Sequence, residues 1–277
     1  MCANVRNESK RTVFTKMLKA DRLKEIERHL KEDGSIVVSK LSAQFSVSEE
    51  TIRRDLDSLS QTLSFRRVHG GAYLLKGSDK EVPATLRETF FTAEKCLISQ
   101  KAVGDISNGD TVMLDSSTTA LFIARELFRQ KKNVLLITNS QKIISEVPET
   151  GGVEAICIGG HLRKETWSFV GPAAFDALRG LAADMAFVSC TSIHPQFAMT
   201  DNNEGEAAIR RLMIERSGRS TLVIDHTKFE KPATHKICEF DELDEIILDS
   251  AVAEDLLEPI RQTGLGLHVC SDAKPEE

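Results

Sequence analysis

The sequence predicts a small domain of three helices and a β-hairpin, followed by a larger α/β domain with an open, mostly parallel sheet. Near the N-terminal end, two helical patterns are separated only by Ser46-Val47. Beyond residue 84, short apolar runs alternate with helical patterns, which is typical of a parallel sheet covered by helices. Residues 1–76 carry 15 Lys and Arg against 10 Asp and Glu, whereas the remaining residues carry 21 against 32.

The charge distribution indicates different partners for the two parts. The chain of 277 residues has a net charge of −6, which combines +5 over residues 1–76 with −11 over the rest. A basic surface can neutralise the phosphates of nucleic acid, whereas an acidic surface is repelled by them. We therefore expect nucleic acid to contact the N-terminal part only.

Membrane, secretion and metal chemistry are not indicated. The sequence has no run of about 18 apolar residues, and residues 1–19 lack the apolar segment of a secretory signal, so we expect a cytoplasmic protein. Neither the six cysteines nor the histidines show zinc-binding spacing. The sequence predicts no metal and no cofactor.

The first domain is predicted over residues 21–74, after a loose basic arm over residues 1–20. Leu23, Ile26 and Leu30 recur at helical spacing and predict a first helix over 21–32, which Gly34 ends.

Two further helices complete this domain. Ser39 is expected to cap the short second helix, and Ser48 to cap a third helix over 49–60. Glu49 and Glu50 suit the positive end of the third helix dipole. The two-residue connection predicts helix, tight turn, helix.

The third helix and the hairpin supply the candidate DNA contacts. With its apolar stripe turned inward, the third helix leaves polar residues near its outward N-terminal side, where such helices meet base edges and phosphates. Residues 65–72 contain an Arg pair and paired glycines, which suit a β-hairpin wing along the DNA backbone. Arg pairs are also common on solvated surfaces, and a three-helix module can bind protein instead. The candidate residues are Ser39, Ser48, Thr51, Arg53, Arg54, Arg66, Arg67 and His69.

Residues 75–83 are polar, contain Gly and Pro, and are predicted to link the first domain to an α/β domain over 84–277. Strands are predicted over 111–114, 134–138, 153–158, 185–188, 221–224 and 246–248. Helices are predicted over 93–106, 119–128, 141–146, 173–181, 204–217 and 251–262.

Open α/β sheets bind ligands beyond the carboxyl ends of their strands, so the loops after the predicted strands are candidate ligand contacts. Residues 115–119 carry four consecutive hydroxyl side chains at the start of a helix, which suits a phosphate, although one of them is enough for an N-cap. For Asn139 and its neighbours, helix capping explains the residues as well as ligand binding does. For Gly159 and Gly160, a simple turn explains them equally well. The ammonium of Lys228 can complete a phosphate pocket or be solvated. The candidates from these loops are Asp115, Ser116, Ser117, Thr118, Thr119, Asn139, Gly159, Gly160 and Lys228.

The N-terminal motifs resemble a known family. Val47-Ser48, Thr51-Ile52-Arg53-Arg54-Asp55-Leu56 and Arg67-Val68-His69-Gly70-Gly71-Ala72 closely resemble the signature of the DeoR-type bacterial transcriptional regulators. Leu63 stands where that family has a Gly before the wing.

The second domain is similar to ribose-5-phosphate isomerase. DeoR-type effector domains are related to this enzyme in fold. Residues 112–123, 184–195 and 223–228 carry this similarity. It implies that Ser117 and Thr118 hold a sugar phosphate, with Asp225 and Lys228 near it.

When the chain is aligned with this enzyme, other residues stand at the positions of the enzyme's catalytic groups. The alignment places Val188 and Thr191 at the enzyme's carboxylates, Asn202 at its catalytic lysine and Arg211 at its base. Proton abstraction needs a positioned base, which none of these side chains supplies. Carboxylates lie nearby in the sequence, and a short gap would shift the alignment towards them. They are Asp201, Glu204 and Glu206, of which Asp201 and Glu204 join the candidate effector contacts.

The resemblance implies a sequence-specific DNA-binding regulator that represses a carbohydrate-use operon and senses a phosphorylated sugar in a non-catalytic α/β domain. Recognition of two operator half-sites predicts a dimer or tetramer. His194 stands where the family has Asp and is either a ligand contact or a surface residue. The alternatives are a sugar-phosphate isomerase with a regulatory head and a protein-docking adaptor.

Overall fold

The structure is a computed structural model that describes residues 17–68, 70–74, 82–229, 231–249 and 252–270. The chain divides into two compact units, Met1–Lys80 and Glu81–Glu277. The predicted arm lies outside the described residues except for residues 17–20. His69 and most of the predicted linker, residues 75–81, lie outside them as well.

The described part of the first unit is a winged helix-turn-helix. In it, β3 lies between β1 and β2 in an antiparallel sheet, and β2 and β3 form the predicted wing. The elements are α1 (Lys19–Asp33), β1 (Ser35–Val37), α2 (Val38–Phe45), α3 (Glu49–Leu59), β2 (Arg66–Val68) and β3 (Gly71–Tyr73).

Left-handed backbone at two positions permits the short connections of this unit. Gly34, with φ of 77°, ends α1, and Ser46, with φ of 52°, turns the chain between α2 and α3. Apolar side chains from the three helices, including Ile26, Leu41 and Ile52, share one buried core. Leu63, which replaces the family's Gly before the wing, packs against the same core.

The expected N-cap role of Ser39 is wrong. Ser39 is the second residue of α2, and the N-cap is Val37, whose side chain makes no capping hydrogen bond. The reason is that Val37 also ends β1, which pairs with wing strand β3 through Val37 and Gly71. This pairing depends on residues far away in the chain, so the local sequence did not reveal where α2 begins.

The second unit contains a parallel sheet, two small antiparallel sheets and seven α-helices among its described residues. Its helices are α4 (Ala84–Arg87), α5 (Thr92–Gly104), α6 (Thr118–Arg129), α7 (Gln141–Ser145), α8 (Pro172–Arg179), α9 (Glu204–Glu215) and α10 (Glu254–Arg261), of which α4 is a single turn. Its strands are β4 (Thr111–Leu114), β5 (Val134–Thr138), β6 (Val153–Cys157), β7 (His161–Arg163), β8 (Ser168–Val170), β9 (Ala183–Val188), β10 (Ser192–His194), β11 (Ala198–Asp201), β12 (Ser217–Ile224), β13 (His235–Cys238), β14 (Glu245–Asp249) and β15 (Gly266–Cys270).

The main sheet has seven parallel strands in the order β15-β14-β12-β9-β4-β5-β6. After β4 the chain adds β5 and β6 on one side, and it then returns to place β9 and the later strands on the other side. The strand order therefore reverses between β4 and β9. Crevices at such switch points are where open α/β sheets bind ligands.

Helices cover both faces of this sheet. Val112 and Leu114 point to a core shared with α5 and α6, whereas Met113 between them points to the core beneath α8, α9 and α10. This alternation follows from the two-residue period of a strand, and burial on both faces explains the nearly continuous apolar runs. The open, mostly parallel α/β sheet predicted from the sequence is confirmed.

The small sheets and one edge strand were not predicted. The hairpin β7–β8 and the sheet β10-β11-β13 are antiparallel, and β15 forms one edge of the main sheet. β15 is only partly buried, so it lacks the apolar run that identified the central strands. The helix predicted over 251–262 is observed as α10, which begins at Glu254.

Candidate functional site

The start of α3 presents polar side chains beside its buried stripe. The hydroxyl of Ser48 accepts a hydrogen bond from the backbone N–H of Thr51 at 3.3 Å, which confirms the expected N-cap. Ile52, Leu56 and Leu59 are buried in the core. This packing fixes which side of α3 faces outward.

The outward stripe of α3 consists of Glu50, Arg53, Arg54 and Asp57, which are all exposed and lie at i, i+3, i+4 and i+7. Its arginines are paired with carboxylates one turn earlier. Arg53 Nη2 lies 2.7 Å from Glu49 Oε2, and Arg54 Nε lies 3.3 Å from Glu50 Oε1.

The wing lies within reach of this stripe. Arg66 and Arg67 are exposed on β2, and Arg67 forms an ion pair with Asp57. This pair connects the wing to the outward stripe. The wing turn places Gly70 at φ of 75°, a conformation that glycine adopts without strain.

Asp55, in the centre of the Arg-Arg-Asp-Leu motif, has an internal role. It is buried and forms an ion pair with Arg22 of α1, whose Nη1 also donates to the carbonyl of Met17 at 3.2 Å. A buried pair of this kind fixes the position of α3 against α1. Sequence spacing did not reveal it, because the two residues are 33 positions apart.

In the second unit, the carboxyl ends of β4 and β9 meet at Asp115. Its backbone N–H donates to the carbonyl of Phe187 at 3.3 Å, and Ser189 N–H donates to Asp115 Oδ2 at 2.9 Å. Asp115 therefore joins the two strands at the switch point.

The predicted loop of residues 115–119 lies here, and several of its side chains have internal partners. Ser117 is the N-cap of α6 and accepts from Ala120 N–H at 3.0 Å. Asp115 Oδ1 accepts from Ser117 N–H at 2.9 Å, and Ser116 donates to Glu206 at 2.9 Å. The first N–H groups of α6, at Thr118 and Thr119, have no partner within the helix and point to its N-terminal end.

Arg210 of α9 lies behind this loop and binds three carboxylates. Its Nε is 2.7 Å from Asp115 Oδ2, its Nη1 is 2.5 Å from Asp201 Oδ2, and its Nη2 is 3.5 Å from Glu206 Oε2. All four side chains, which we call the Arg210 cluster, are buried. Burial alone lowers the pKa of a guanidinium, but the three carboxylates raise the pKa of Arg210 well above its usual value.

Glu206 is held as a carboxylate. Burial raises its pKa, but the charge of Arg210 and hydrogen bonds from Ser168, Thr166 and Ser116 outweigh burial and lower the pKa to about 2. Arg163 of β7 also donates to Glu206 at 3.2 Å. The hairpin β7–β8 is therefore joined to the Arg210 cluster.

Two lysines lie near the carboxyl end of β12. Lys228 ends the short turn after Asp225 and is partly buried. Lys95 of α5 is 2% exposed and donates to the carbonyls of Arg87 and Phe90 at 2.5 and 2.6 Å. Burial lowers the pKa of Lys95 to about 8; Lys228 and Arg87 also lower it, whereas Asp225 raises it. Lys95 was not predicted, because a single lysine within a helical pattern is normally a surface residue.

The other predicted loop residues have distinct surroundings. Asn139 donates through Nδ2 to the carbonyl of Phe169 at 3.0 Å, and its buried Oδ1 has no hydrogen-bond partner among the described residues. A Cβ at Gly160 would lie 2.8 Å from the carbonyl of Val170, so close packing against β8 requires this glycine, whereas Gly159 faces open space. Glu204 is exposed on the first turn of α9.

His194 lies at the tip of the β10–β11 hairpin, where its Nδ1 accepts from Gln196 N–H at 3.2 Å. Arg211, which the alignment placed at the enzyme's base, lies at the surface and pairs with Glu215 and Glu242. No cluster of His, Cys, Asp and Glu suited to a metal occurs in the described parts of the chain. Within those parts, no helix is both long and apolar enough to cross a membrane.

A winged helix-turn-helix followed by an open α/β unit is the architecture of a DNA-binding regulator with a sensor domain. Residues 22–77 match the DeoR-like helix-turn-helix domain, and residues 91–250 match the DeoR C-terminal sensor domain. The chain belongs to the DeoR family of transcriptional regulators.

Curated relatives agree with this assignment. The chain is 34% identical to a protein of Escherichia coli O157:H7 named as a transcriptional repressor of the aga operon, over 89% of this chain and 92% of the relative. It is 32% identical to the L-fucose operon activator of Escherichia coli strain K12, over 84% and 96%. It is 32% identical to the lactose phosphotransferase system repressor of Lactococcus lactis, over 89% and 97%.

Solved structures that resemble the chain include ribose 5-phosphate isomerase A from Methanocaldococcus jannaschii. The TM-score is 0.35 at 15% identity, over 50% of this chain and 54% of that chain.

Proposed function

We propose that the chain represses a carbohydrate-use operon and that a phosphorylated sugar, bound at the switch point of the α/β unit, controls its affinity for operator DNA. The names of the relatives support control of a sugar operon. The observation that carries the proposal of an anionic effector is the position of Lys228 and Lys95 at the same sheet edge as the N-terminus of α6.

The phosphate is proposed to lie against Thr118 and Thr119, where free backbone N–H groups and the positive end of the α6 dipole favour an anion. Lys228 supplies a charge that pairs with it, as the resemblance to the isomerase implies. Lys95 adds a second positive charge nearby, which the structure places close to Lys228 and Asp225. The role proposed for Asp115, Ser116 and Ser117 is to hold the loop in its conformation, because their side chains form hydrogen bonds within the protein.

The sugar itself requires hydrogen-bonding groups. The buried Oδ1 of Asn139 can only accept, and an acceptor without a donor is unfavourable in a protein interior. A hydroxyl of the effector would supply that donor. We therefore propose Asn139 as a contact for the sugar rather than for the phosphate.

We further propose that the site binds its ligand without converting it. Isomerisation of a sugar phosphate requires a carboxylate that accepts a proton from carbon. Asp115, Asp201 and Glu206 lie at this edge of the sheet, but each is bound to Arg210, and the pKa of Glu206 is about 2. A carboxylate with so low a pKa is a poor base at neutral pH. Incubation of the pure protein with ribose 5-phosphate should therefore leave the substrate unchanged.

In the first unit, Arg53 and Arg54 are proposed to read bases, and Arg66 and Arg67 to contact phosphates. Ser48 and Thr51 lie at the N-terminal end of α3, which is the part of a recognition helix that enters the major groove. Ser39, exposed on α2, is proposed as a backbone contact. We propose that the chain acts in the cytoplasm as a dimer or tetramer, because two half-sites require two reading heads.

Calorimetric titration of the full chain with a panel of sugar phosphates tests the effector site. Lys228→Gln should abolish binding of the ligand that the wild type selects. Lys131→Gln serves as a control, because Lys131 is exposed just beyond the C-terminal end of α6, at the opposite edge of the sheet. Equal affinity of the wild type and Lys228→Gln would contradict the proposed site.

A further inference from the structure

The outward stripe of α3, which is proposed to meet DNA, carries no net positive charge. Its residues Glu50, Arg53, Arg54 and Asp57 have a formal net charge of zero, and Glu49 adds another negative charge beside them. DNA presents a high density of negative phosphates, so carboxylates in this position oppose binding in general. Attraction to DNA therefore does not explain these carboxylates.

The geometry of the two pairs indicates that role. Glu50 contacts Arg54 through Nε, and this leaves the terminal Nη1 and Nη2 groups available for another acceptor. Glu49 contacts Arg53 through Nη2 and leaves the rest of that guanidinium available. An arginine has five N–H donors in a rigid plane, so it can keep its carboxylate and still bind a second planar partner.

Base edges and phosphates differ as second partners. The guanine edge offers two neutral acceptors, O6 and N7, which an arginine fork can bind without a second negative charge approaching the glutamate. A phosphate brings a full negative charge close to the carboxylate and is repelled by it. A paired arginine therefore favours guanine over phosphate more strongly than an unpaired arginine does.

We propose that Glu49 and Glu50 are positioning residues for DNA specificity, which hold Arg53 and Arg54 for base edges and weaken their binding to phosphates. This inference rests on the proposed reading role of α3. It assigns the two glutamates a function beyond stabilisation of the helix N-terminus, which Ser48 already caps.

The test compares a specific with a non-specific duplex. The full wild-type chain first selects a duplex from a random-sequence pool, and a shuffled duplex of the same composition serves as the non-specific probe. Dissociation constants for both duplexes are then measured at several salt concentrations, and those of Glu49→Gln/Glu50→Gln are compared with those of the wild type. We expect tighter binding of the shuffled duplex and a fall of about tenfold in the ratio of specific to non-specific affinity, comparable to the loss of one good base contact.

A matched control removes the same amount of charge elsewhere in this unit. Glu25 and Glu32 on α1 both pair with Arg28, at 2.9 and 2.5 Å, and lie outside the outward stripe. Glu25→Gln/Glu32→Gln should change both affinities in parallel and preserve their ratio. Thermal unfolding of each variant confirms that the fold is intact.

Three outcomes would overturn the proposal. The ratio could stay unchanged in Glu49→Gln/Glu50→Gln, or it could fall equally in the α1 control. The third is a new preference at a single cytosine position with unchanged non-specific affinity, which would place a glutamate itself on a base. Arg54→Ala separates this inference from the proposed reading role of α3. Normal operator binding by Arg54→Ala would contradict the reading role of Arg54. Loss of operator binding by Arg54→Ala, together with an unchanged ratio of specific to non-specific affinity in Glu49→Gln/Glu50→Gln, would contradict only the inference.

Discussion

Arg210 binds Asp115 across the switch point of the sheet, with its Nε 2.7 Å from Asp115 Oδ2 in a contact that is buried on both sides. The same guanidinium binds Asp201 and Glu206. The loop proposed to hold the effector phosphate is thus supported from behind by a single cation of α9. We therefore expect both the stability of this unit and its effector binding to depend on Arg210.

Replacement of Arg210 should be strongly destabilising. Arg210→Met would leave three carboxylates buried without their cation, and breaking a buried pair costs about 3–5 kcal/mol. Chemical denaturation at neutral pH measures the loss in the free energy of unfolding. Arg211→Met is the matched control, because the neighbouring Arg211 pairs at the surface and should contribute about 0–1 kcal/mol. Equal losses in the free energy of unfolding for Arg210→Met and Arg211→Met would contradict a special contribution of the Arg210 cluster to stability.

Glu206 should make the protein sensitive to acid. Its pKa is lowered from 4.5 to about 2 in the folded state, so its contribution to stability is present above about pH 4.5 and is lost as the pH falls towards 2. Glu206→Gln removes this titration. The free energy of unfolding, measured between pH 6 and the lowest pH at which the chain stays folded, should fall less steeply for Glu206→Gln than for the wild type. Parallel slopes would contradict the assignment.

Lys95 should make effector binding depend on pH. Its pKa of about 8 means that it loses its positive charge as the pH rises through that value. A sugar phosphate keeps its full negative charge over the same range, because its second pKa is about 6. Affinity measured calorimetrically should therefore fall between about pH 7 and pH 9. Lys95→Met should bind weakly at both values, and a similar fall in that variant would assign the titration to another group.

The arginines of the first unit should separate into two classes. Arg53→Ala and Arg54→Ala should each cost roughly 1–3 kcal/mol in operator binding and relax specificity at one base position. Arg66→Ala should weaken all duplexes similarly and reduce the salt dependence of binding. Gel-shift titrations at two salt concentrations distinguish the classes. Unchanged binding by all three variants would remove the proposed DNA contacts.

Local patterns predicted much of the fold. The apolar runs over 111–114 and 134–138 identified central strands, because residues buried on both faces of a sheet must be apolar. Ser48 was identified as a helix cap, and residues 115–119 as a loop that contains one, because a cap depends on residues within one turn; the structure shows that the second cap is Ser117. Strand β15 was missed, because a partly exposed edge strand has no such run.

The candidate site was less accessible to sequence reasoning. The loops at the switch point were found, since their positions follow from the strand ends. The Arg210 cluster was not found, because Arg210 and Asp115 are 95 residues apart and neither shows a local pattern. Lys95 was missed for the same reason, as its burial depends on the packing of α5 against the rest of the unit.

The central claim is that a phosphorylated sugar and operator DNA affect each other's binding to one chain. Operator affinity measured with and without a saturating sugar phosphate tests it most directly. The effector found for the wild type should change operator affinity roughly 5- to 150-fold, and operator should change effector affinity by the same factor. Lys228→Gln should bind operator normally and show no change. If no phosphorylated sugar alters operator affinity of the wild-type chain, the account is contradicted.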